Sequence, residues 1–320
     1  VKIPAKYDPV KLAEEIVIDE RERWAVSALD FASIGDPVPA KRKALIHDDT
    51  LRSGANNPRA LLSDDQKLRL AEKLEEAGIQ ELEAGYAGIS EHRRFMKLLK
   101  EHKTKMKIGA HATAQGFVTR TYVYKEETDR SMEAGADVMN FVGRLTYIGG
   151  HLGPDVQASE VLEKTQDCIH YAKSQGAFVS MGIIVDSVDA LFKSMKASAE
   201  AGVDRVCIYD SRSWWTHDVW KWAVKFTRHI VGPKIQITAH VHDAYGMGVA
   251  NTCEAVKAGA DMADVTLNGY GHAGGNAALE QVVVNLEMLY GIDTGIDLTK
   301  LYSLCKLAAD DFGMPISPRQ

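Results

Sequence analysis

Cysteine is scarce. Cys168, Cys207, Cys253 and Cys305 are the four occurrences in 320 residues, and no two form a C-x-x-C pair. That spacing supplies no disulfide framework and no sulfur-bound structural zinc, and it fits a reducing cytoplasm. Long apolar runs are also missing although 45% of the residues are hydrophobic; no segment is expected to span a membrane, while a large core can still be buried. No basic leader followed by an apolar stretch opens the chain, so no secretory signal is expected. The formal net charge is only -6 and no basic stripe is present, which argues against a nucleic-acid partner. A G-x-G-x-x-G after an early strand is absent too, removing the main cue for a doubly wound dinucleotide-binding sheet.

What is present is a recurring junction. Ala77-Gly78-Ile79, Ala134-Gly135-Ala136-Asp137, Ala201-Gly202-Val203-Asp204 and Ala258-Gly259-Ala260-Asp261 each follow a helical pattern and precede an apolar run, with Ser174-Gln175-Gly176-Ala177 as a weaker fifth case. Glycine just past a helix is the usual left-handed cap, so each junction reads as a helix ending and a strand beginning. Eight strands are predicted, over 44–48, 79–84, 106–111, 137–142, 177–185, 204–209, 235–241 and 262–267. All but the last are followed by helical stretches such as Asp65 to Ala77 and Val188 to Ala201. Alternating units of about 30 residues match an α/β chain closed into a (β/α)8 TIM barrel. Residues 1–40 form an N-terminal extension, expected to be helical from the amphipathic placement of Leu12, Ile16, Trp24, Val26 and Leu29. Residues 41–320 form the barrel.

A barrel of this kind gathers its chemistry at the carboxyl ends of the strands, where the loops converge on one mouth. The polar residues ending the predicted strands are Asp48, Glu83, His111, Asn140, Asp210, His240 and His242, with Asn276 in the glycine-rich loop after the eighth strand. Ligand and acid–base types concentrated there point to an enzyme. His240 and His242 lie at i and i+2 on an extended segment, so both imidazoles point to one side and can reach one metal ion.

Two distant motifs then suggest a family. Asp48-Asp49-Thr50-Leu51-Arg52-Ser53-Gly54 and His240-Val241-His242-Asp243 resemble the D-x-T-L-R-D-G and H-x-H signatures of the DRE-TIM metallolyases. That superfamily holds isopropylmalate, citramalate and homocitrate synthases, hydroxymethylglutaryl-CoA lyase and 4-hydroxy-2-oxovalerate aldolase. Gly269-Tyr270-Gly271-His272-Ala273-Gly274-Gly275-Asn276 is similar to its third motif. The resemblance implies Asp48, His240, His242 and Asn276 as ligands of one divalent cation, Mg²⁺ or Mn²⁺ suiting the oxygens and Zn²⁺ or Co²⁺ also admitted by the imidazoles. It implies Arg52 as the guanidinium that stabilises an enolate, and Glu83 as an acid–base group or as the partner that holds Arg52. His111, Asn140, Arg144, Asp210 and Tyr245 are the remaining candidates, all for contact with substrate.

The departures from the pattern are specific. Ser53 replaces the second aspartate of the first motif, Ala55 and Asn56 replace an acidic residue and a glutamine, and His272-Ala273 stand where the synthases have Glu-Arg. The frame of the metal site is kept while the pocket differs. The expected activity is a divalent-metal-dependent carbon–carbon lyase or aldolase acting through an enolate on a 2-oxo acid, hydroxy diacid or acyl-CoA substrate. Cleavage is favoured because the chain stops at Gln320 without the long extension of the synthases. The alternative is a Claisen-type synthase, to which Tyr290-Gly291-Ile292-Asp293 is more similar. Further alternatives are a metal-dependent hydrolase, whose His-x-His belongs on a first strand, and a barrel kept for binding alone. A cytoplasmic homo-oligomer, dimer or larger, acting on a small molecule completes the expectation.

Overall fold

Eight short parallel strands, most of them alternating apolar and polar residues, form the core of the described barrel. The computed structural model describes residues 17–19, 24–26, 42–56, 61–113, 123–144, 158–184 and 187–316. The strands are β1 Leu45–Asp48, β2 Glu81–Tyr86, β3 Lys107–Thr113, β4 Val138–Arg144, β5 Phe178–Ile184, β6 Arg205–Asp210, β7 Gln236–Val241 and β8 Met262–Val265. Each pairs in parallel with the next, and β8 closes on β1 through Met262 opposite Leu45 and Val265 opposite Asp48. The eight predicted strands all exist, with ends displaced by a few residues at most.

Helices α1 Asp64–Ala77, α2 Ser90–Glu101, α3 Tyr124–Glu133, α4 Ala158–Ser174, α5 Val188–Glu200, α6 His217–Val231 and α7 Gly248–Ala258 return the chain between strands. Contrary to expectation, β8 is also followed by helices, α8 Leu279–Val284 and α9 Leu301–Phe312. The first helix shows why the local sequence folds this way. Ser63 accepts the backbone N–H of Gln66 while the Gln66 side chain accepts that of Ser63, a reciprocal cap worth about 1 kcal/mol. At the other end Gly78 takes φ 100°, and a Cβ there would meet the Gly295 carbonyl oxygen at 2.5 Å. The other junction glycines, Gly135, Gly176, Gly202 and Gly259, also have positive φ, as helix caps require.

The two-residue period of the strands divides the core in two. Ile46, Leu82, Ile108, Val206, Ile237 and Ala263 are wholly buried on the side that faces the helices. The interleaved positions fill the barrel with polar groups instead: His47, Glu81, Glu83, Asn140, Arg205 and Asp264 are all at least nine-tenths buried.

The N-terminal segment differs from expectation. Among its described residues, Val17–Asp19 and Trp24–Val26 pair as an antiparallel ribbon, not a helix. The β-branched and aromatic side chains Val17, Ile18, Trp24 and Val26 suit an extended backbone. Leu12, Ile16 and Leu29 lie outside the described residues. No helix among the described residues is long and apolar enough to cross a membrane.

Candidate metal centre

His240 sits near the carboxyl end of β7 and His242 just beyond it, with their Nε2 atoms 3.2 Å apart. The other ring nitrogen of each is held by an acceptor. His240 Nδ1 lies 2.7 Å from the Asp264 carboxylate on β8, and His242 Nδ1 lies 3.2 Å from the His272 carbonyl oxygen. An acceptor at Nδ1 fixes the proton there, so the neutral ring presents a bare lone pair at Nε2. Two such lone pairs facing each other at 3.2 Å repel unless a cation lies between them. Burial, and then the neighbouring His240, lowers the pKa of His242 to about 3, so a proton is a poor occupant and a metal ion a good one.

Asn276 reaches the same point because its loop pairs with the strand that carries the histidines. Asp243 N donates to the Gly275 carbonyl, Ala277 N donates to that of Val241, and His242 forms an antiparallel bridge with Asn276. Gly271 has φ 153°, and a Cβ on it would collide with Asn276 Oδ1 at 2.4 Å; the glycines of this loop clear room for the amide. Asn276 Nδ2 lies 3.3 Å from His240 Nε2, and its Oδ1 accepts the Ser53 hydroxyl at 3.1 Å. The donor set Ser53, His240, His242 and Asn276 therefore fits a divalent cation.

Asp48 is engaged locally. Its carboxylate accepts the backbone N–H of Thr50 at 3.1 Å and the Thr50 hydroxyl at 2.8 Å, closing a local turn. Burial raises its pKa to about 7 against those two hydrogen bonds. The chain turns through Asp49–Ser53, and it is Ser53, standing where the family has its second aspartate, that meets Asn276. Asp49 instead engages Arg52: its Oδ2 lies 2.6 Å from Nη2, an approach too poorly aligned to count as a hydrogen bond. Burial works against the charge of Arg52, but the Asp49 carboxylate outweighs it and pushes the pKa well up. Arg52 thus stays cationic with Nε and Nη2 lacking hydrogen-bond partners among the described residues.

The other sequence candidates divide. Glu83 is buried with Oε1 unpartnered, while Oε2 accepts from Asn140 Nδ2 at 2.9 Å and lies 3.3 Å from His47 Nε2. It does not hold Arg52; Asp49 does. His111 packs edge-on against Tyr86, its Nδ1 unpartnered. Burial, and then the charge of Arg52, holds it well below the usual imidazole range, hence neutral. Asn140 is engaged at both ends inside the barrel, its Nδ2 donating to Glu83 and its Oδ1 accepting from Arg205 Nη2 at 3.2 Å. Asp210 accepts the backbone N–H groups of Trp214 and Trp215, which makes it the cap of its own loop. Tyr245 is 70% exposed, neither buried nor turned into the centre. Arg144 ends β4, and its side chain lies outside the described residues.

Sequence reasoning missed the support beneath the histidines. Asp264 holds His240, Tyr209 lays its ring 4.2 Å from the His240 ring, and Gly182 makes room for that tyrosine, since a Cβ there would meet its ring at 2.3 Å. The available signal was an acid, Asp264, inside the apolar strand Met262-Ala263-Asp264-Val265. Replacing Asp264 by asparagine is expected to weaken divalent-metal binding 10–100-fold, measured by calorimetric titration; an unchanged affinity would remove the carboxylate from the centre.

With the geometry in place, comparison with known proteins decides the family. The HMGL-like pattern matches residues 43–308. The chain belongs to the HMGL-like family. A putative (R)-citramalate synthase of Methanopyrus kandleri is 34% identical over 278 residues, covering 86% of this chain and 53% of the relative. A probable 2-isopropylmalate synthase of Ignicoccus hospitalis is 30% identical, covering 87% of this chain and 68% of the relative. The chain thus spans about half the length of the citramalate synthase it matches. Among solved structures, the HMG-CoA lyase of Bacillus subtilis superposes with a TM-score of 0.74 at 18% identity, covering 89% of this chain and 98% of that one, a likeness of fold.

Proposed function

We propose that this HMGL-like barrel is a divalent-metal-dependent enzyme that joins an acyl-CoA to a 2-oxo acid in a Claisen-type condensation. The observation that carries the metal-dependent part is the pair of imidazole lone pairs converging at 3.2 Å. The direction rests on relatives with synthase names at 30–34% identity, which favours condensation over the cleavage first expected. The end of the chain at Gln320, the ground for cleavage, loses its weight once the chain is seen to span half of such a relative.

Each residue contributes at its own place. Ser53, His240, His242 and Asn276 would hold the ion, which when bound supplies Lewis-acid polarisation of the 2-oxo acid carbonyl. Arg52, cationic and with two unsatisfied nitrogens, supplies donors for a developing oxyanion in a buried setting, where such donors count most. Glu83 offers one unpartnered carboxylate oxygen for proton transfer. His111, held neutral, offers one free ring nitrogen beside the guanidinium.

The test is an assay with acetyl-CoA and a panel of 2-oxo acids, following free thiol release, against the reverse cleavage of 2-hydroxy diacids. Condensation should respond to added divalent ion and cleavage should be absent; cleavage alone would return the lyase reading. Arg52→Lys is expected to retain metal binding yet lower kcat by about 100-fold, since an ammonium cannot reproduce a fork of donors. A variant with normal kcat would take Arg52 out of the chemistry.

A further inference from the structure

We propose that Ser53 sets the ion preference of this centre: by standing in place of a carboxylate it leaves the neutral donor set Ser53, His240, His242 and Asn276, which selects Zn²⁺ or Co²⁺ over Mg²⁺ and Mn²⁺. The inference rests on the metal-dependent reading above and deepens it.

Ser53 is wholly buried, and its hydroxyl touches the Asn276 amide that borders His240. A side chain at this position is therefore directed at the ion site and not at solvent. The nearby carboxylates are already committed. Asp264 is bound by His240 Nδ1, and Asp49 is bound by Arg52 while its Oδ1 accepts the Ser53 N–H at 3.3 Å. Asp264 lies on the Nδ1 side of His240, away from the Nε2 that faces His242, and Asp49 cannot turn to the ion without giving up Arg52 or the Ser53 N–H. The Asn276 amide offers its oxygen to an ion once it turns over, and a hydroxyl beside it tolerates the turn because it both donates and accepts.

Such a set is neutral and half imidazole. Mg²⁺ parts with its water reluctantly and is usually bound through carboxylates or phosphates, so a site with no anionic ligand holds it poorly. Imidazole nitrogens suit Zn²⁺ and its neighbours, and affinity for a given nitrogen–oxygen site rises from Mn²⁺ to Co²⁺ and is higher again for Zn²⁺ than for Mn²⁺. Removing one negative ligand lowers the affinity for every divalent ion but lowers it most for the hard ones. Asp49 and Asp264, whose oxygens lie within 4.8 Å of a His240 ring nitrogen, still provide charge near the ion.

The experiment titrates chelator-stripped protein calorimetrically with Mg²⁺, Mn²⁺, Co²⁺ and Zn²⁺ in turn, for the wild type, Ser53→Asp and His242→Ala. The expected wild-type ranking places Zn²⁺ and Co²⁺ at least ~100-fold tighter than Mg²⁺. Ser53→Asp is expected to tighten Mg²⁺ and Mn²⁺ by about 10–100-fold, as ligand charge does in oxygen sites, and to narrow the gap to Zn²⁺. Ser53→Asp that binds Mg²⁺ no better than the wild type, with its circular dichroism intact, overturns the proposal. Should that variant not fold, the wild type decides: Mg²⁺ binding within threefold of Zn²⁺ overturns it equally. If ions bind but His242→Ala binds them as well as the wild type, the metal-centre reading itself has failed, and Ser53 is not the cause.

Discussion

Replacing His242 by alanine is expected to give a folded barrel that retains no stoichiometric divalent ion and has lost on the order of a thousandfold in kcat/KM, several kcal/mol of carbonyl activation. The fold should survive because little depends on this ring: its Nδ1 meets only a loop carbonyl, that of His272, and its face rests on the His272 ring at 4.6 Å. His240→Ala makes the informative contrast. It removes the same kind of ligand but also takes the Nδ1–H from the buried Asp264 carboxylate, which lies 2.7 Å from it. Removing a partner of a buried charge costs up to about 3–5 kcal/mol. His240→Ala should therefore lose Tm as well as metal, while His242→Ala loses metal alone. Metal content after desalting, circular dichroism and turnover separate the two, and a His242→Ala enzyme with full occupancy and normal rate would refute the centre.

Much of this molecule is legible in the sequence. The junction glycines marked helix ends because only their left-handed backbone lets the chain turn into a strand, and the i, i+2 spacing put both imidazoles on one face. Depth in the barrel was not legible. Strand-end reasoning treats the last polar residue of each strand as mouth-facing, but the parallel strands are staggered. Asn140, third in β4, is in register with Arg205 on β6 and Gln236 on β7, four residues before His240, and is engaged by Glu83 and Arg205. Asp48 and Asp210 show another feature that residue types do not reveal: a short acid at a strand end can engage its own turn, and both do so, on Thr50 and on Trp214 and Trp215. The first-motif residue that meets Asn276 lies one turn further on, at Ser53, a step that depends on the bend through 49–53 and not on any spacing of residue types. Glu81 and Arg205 escaped notice because their partnership spans 124 positions, and isolated charges in strands read as surface.

That hidden pair carries the largest expected effect on stability. Arg205 Nη1 donates to Glu81 Oε2 at 2.9 Å, and the side chains are 2% and 1% exposed. Glu81 also holds His47 Nδ1 at 2.9 Å, and beside this network lies a small cavity of about 10 Å³, the size of a single water. Arg205→Ala leaves the buried Glu81 with His47 as its one remaining cationic partner among the described residues, a loss of up to about 3–5 kcal/mol; with roughly 2–4 °C of Tm per kcal/mol, the expected fall is up to about 6–20 °C. Arg205→Met with Glu81→Leu removes both charges and should recover part of that loss, though His47 loses a partner. His47 makes the role of the network separable by pH. Burial alone would lower its pKa, but Asp264, Glu81 and Glu83 raise it well above the usual imidazole value. A group raised on folding stabilises fully below its unfolded pKa and loses that contribution as pH climbs through the folded one. Wild-type Tm should accordingly decline as pH rises from near 6.5 into the alkaline range, and the double variant should decline less. If both fall equally, His47 is not held charged by Glu81, and the polar filling of the barrel is packing without electrostatic purpose.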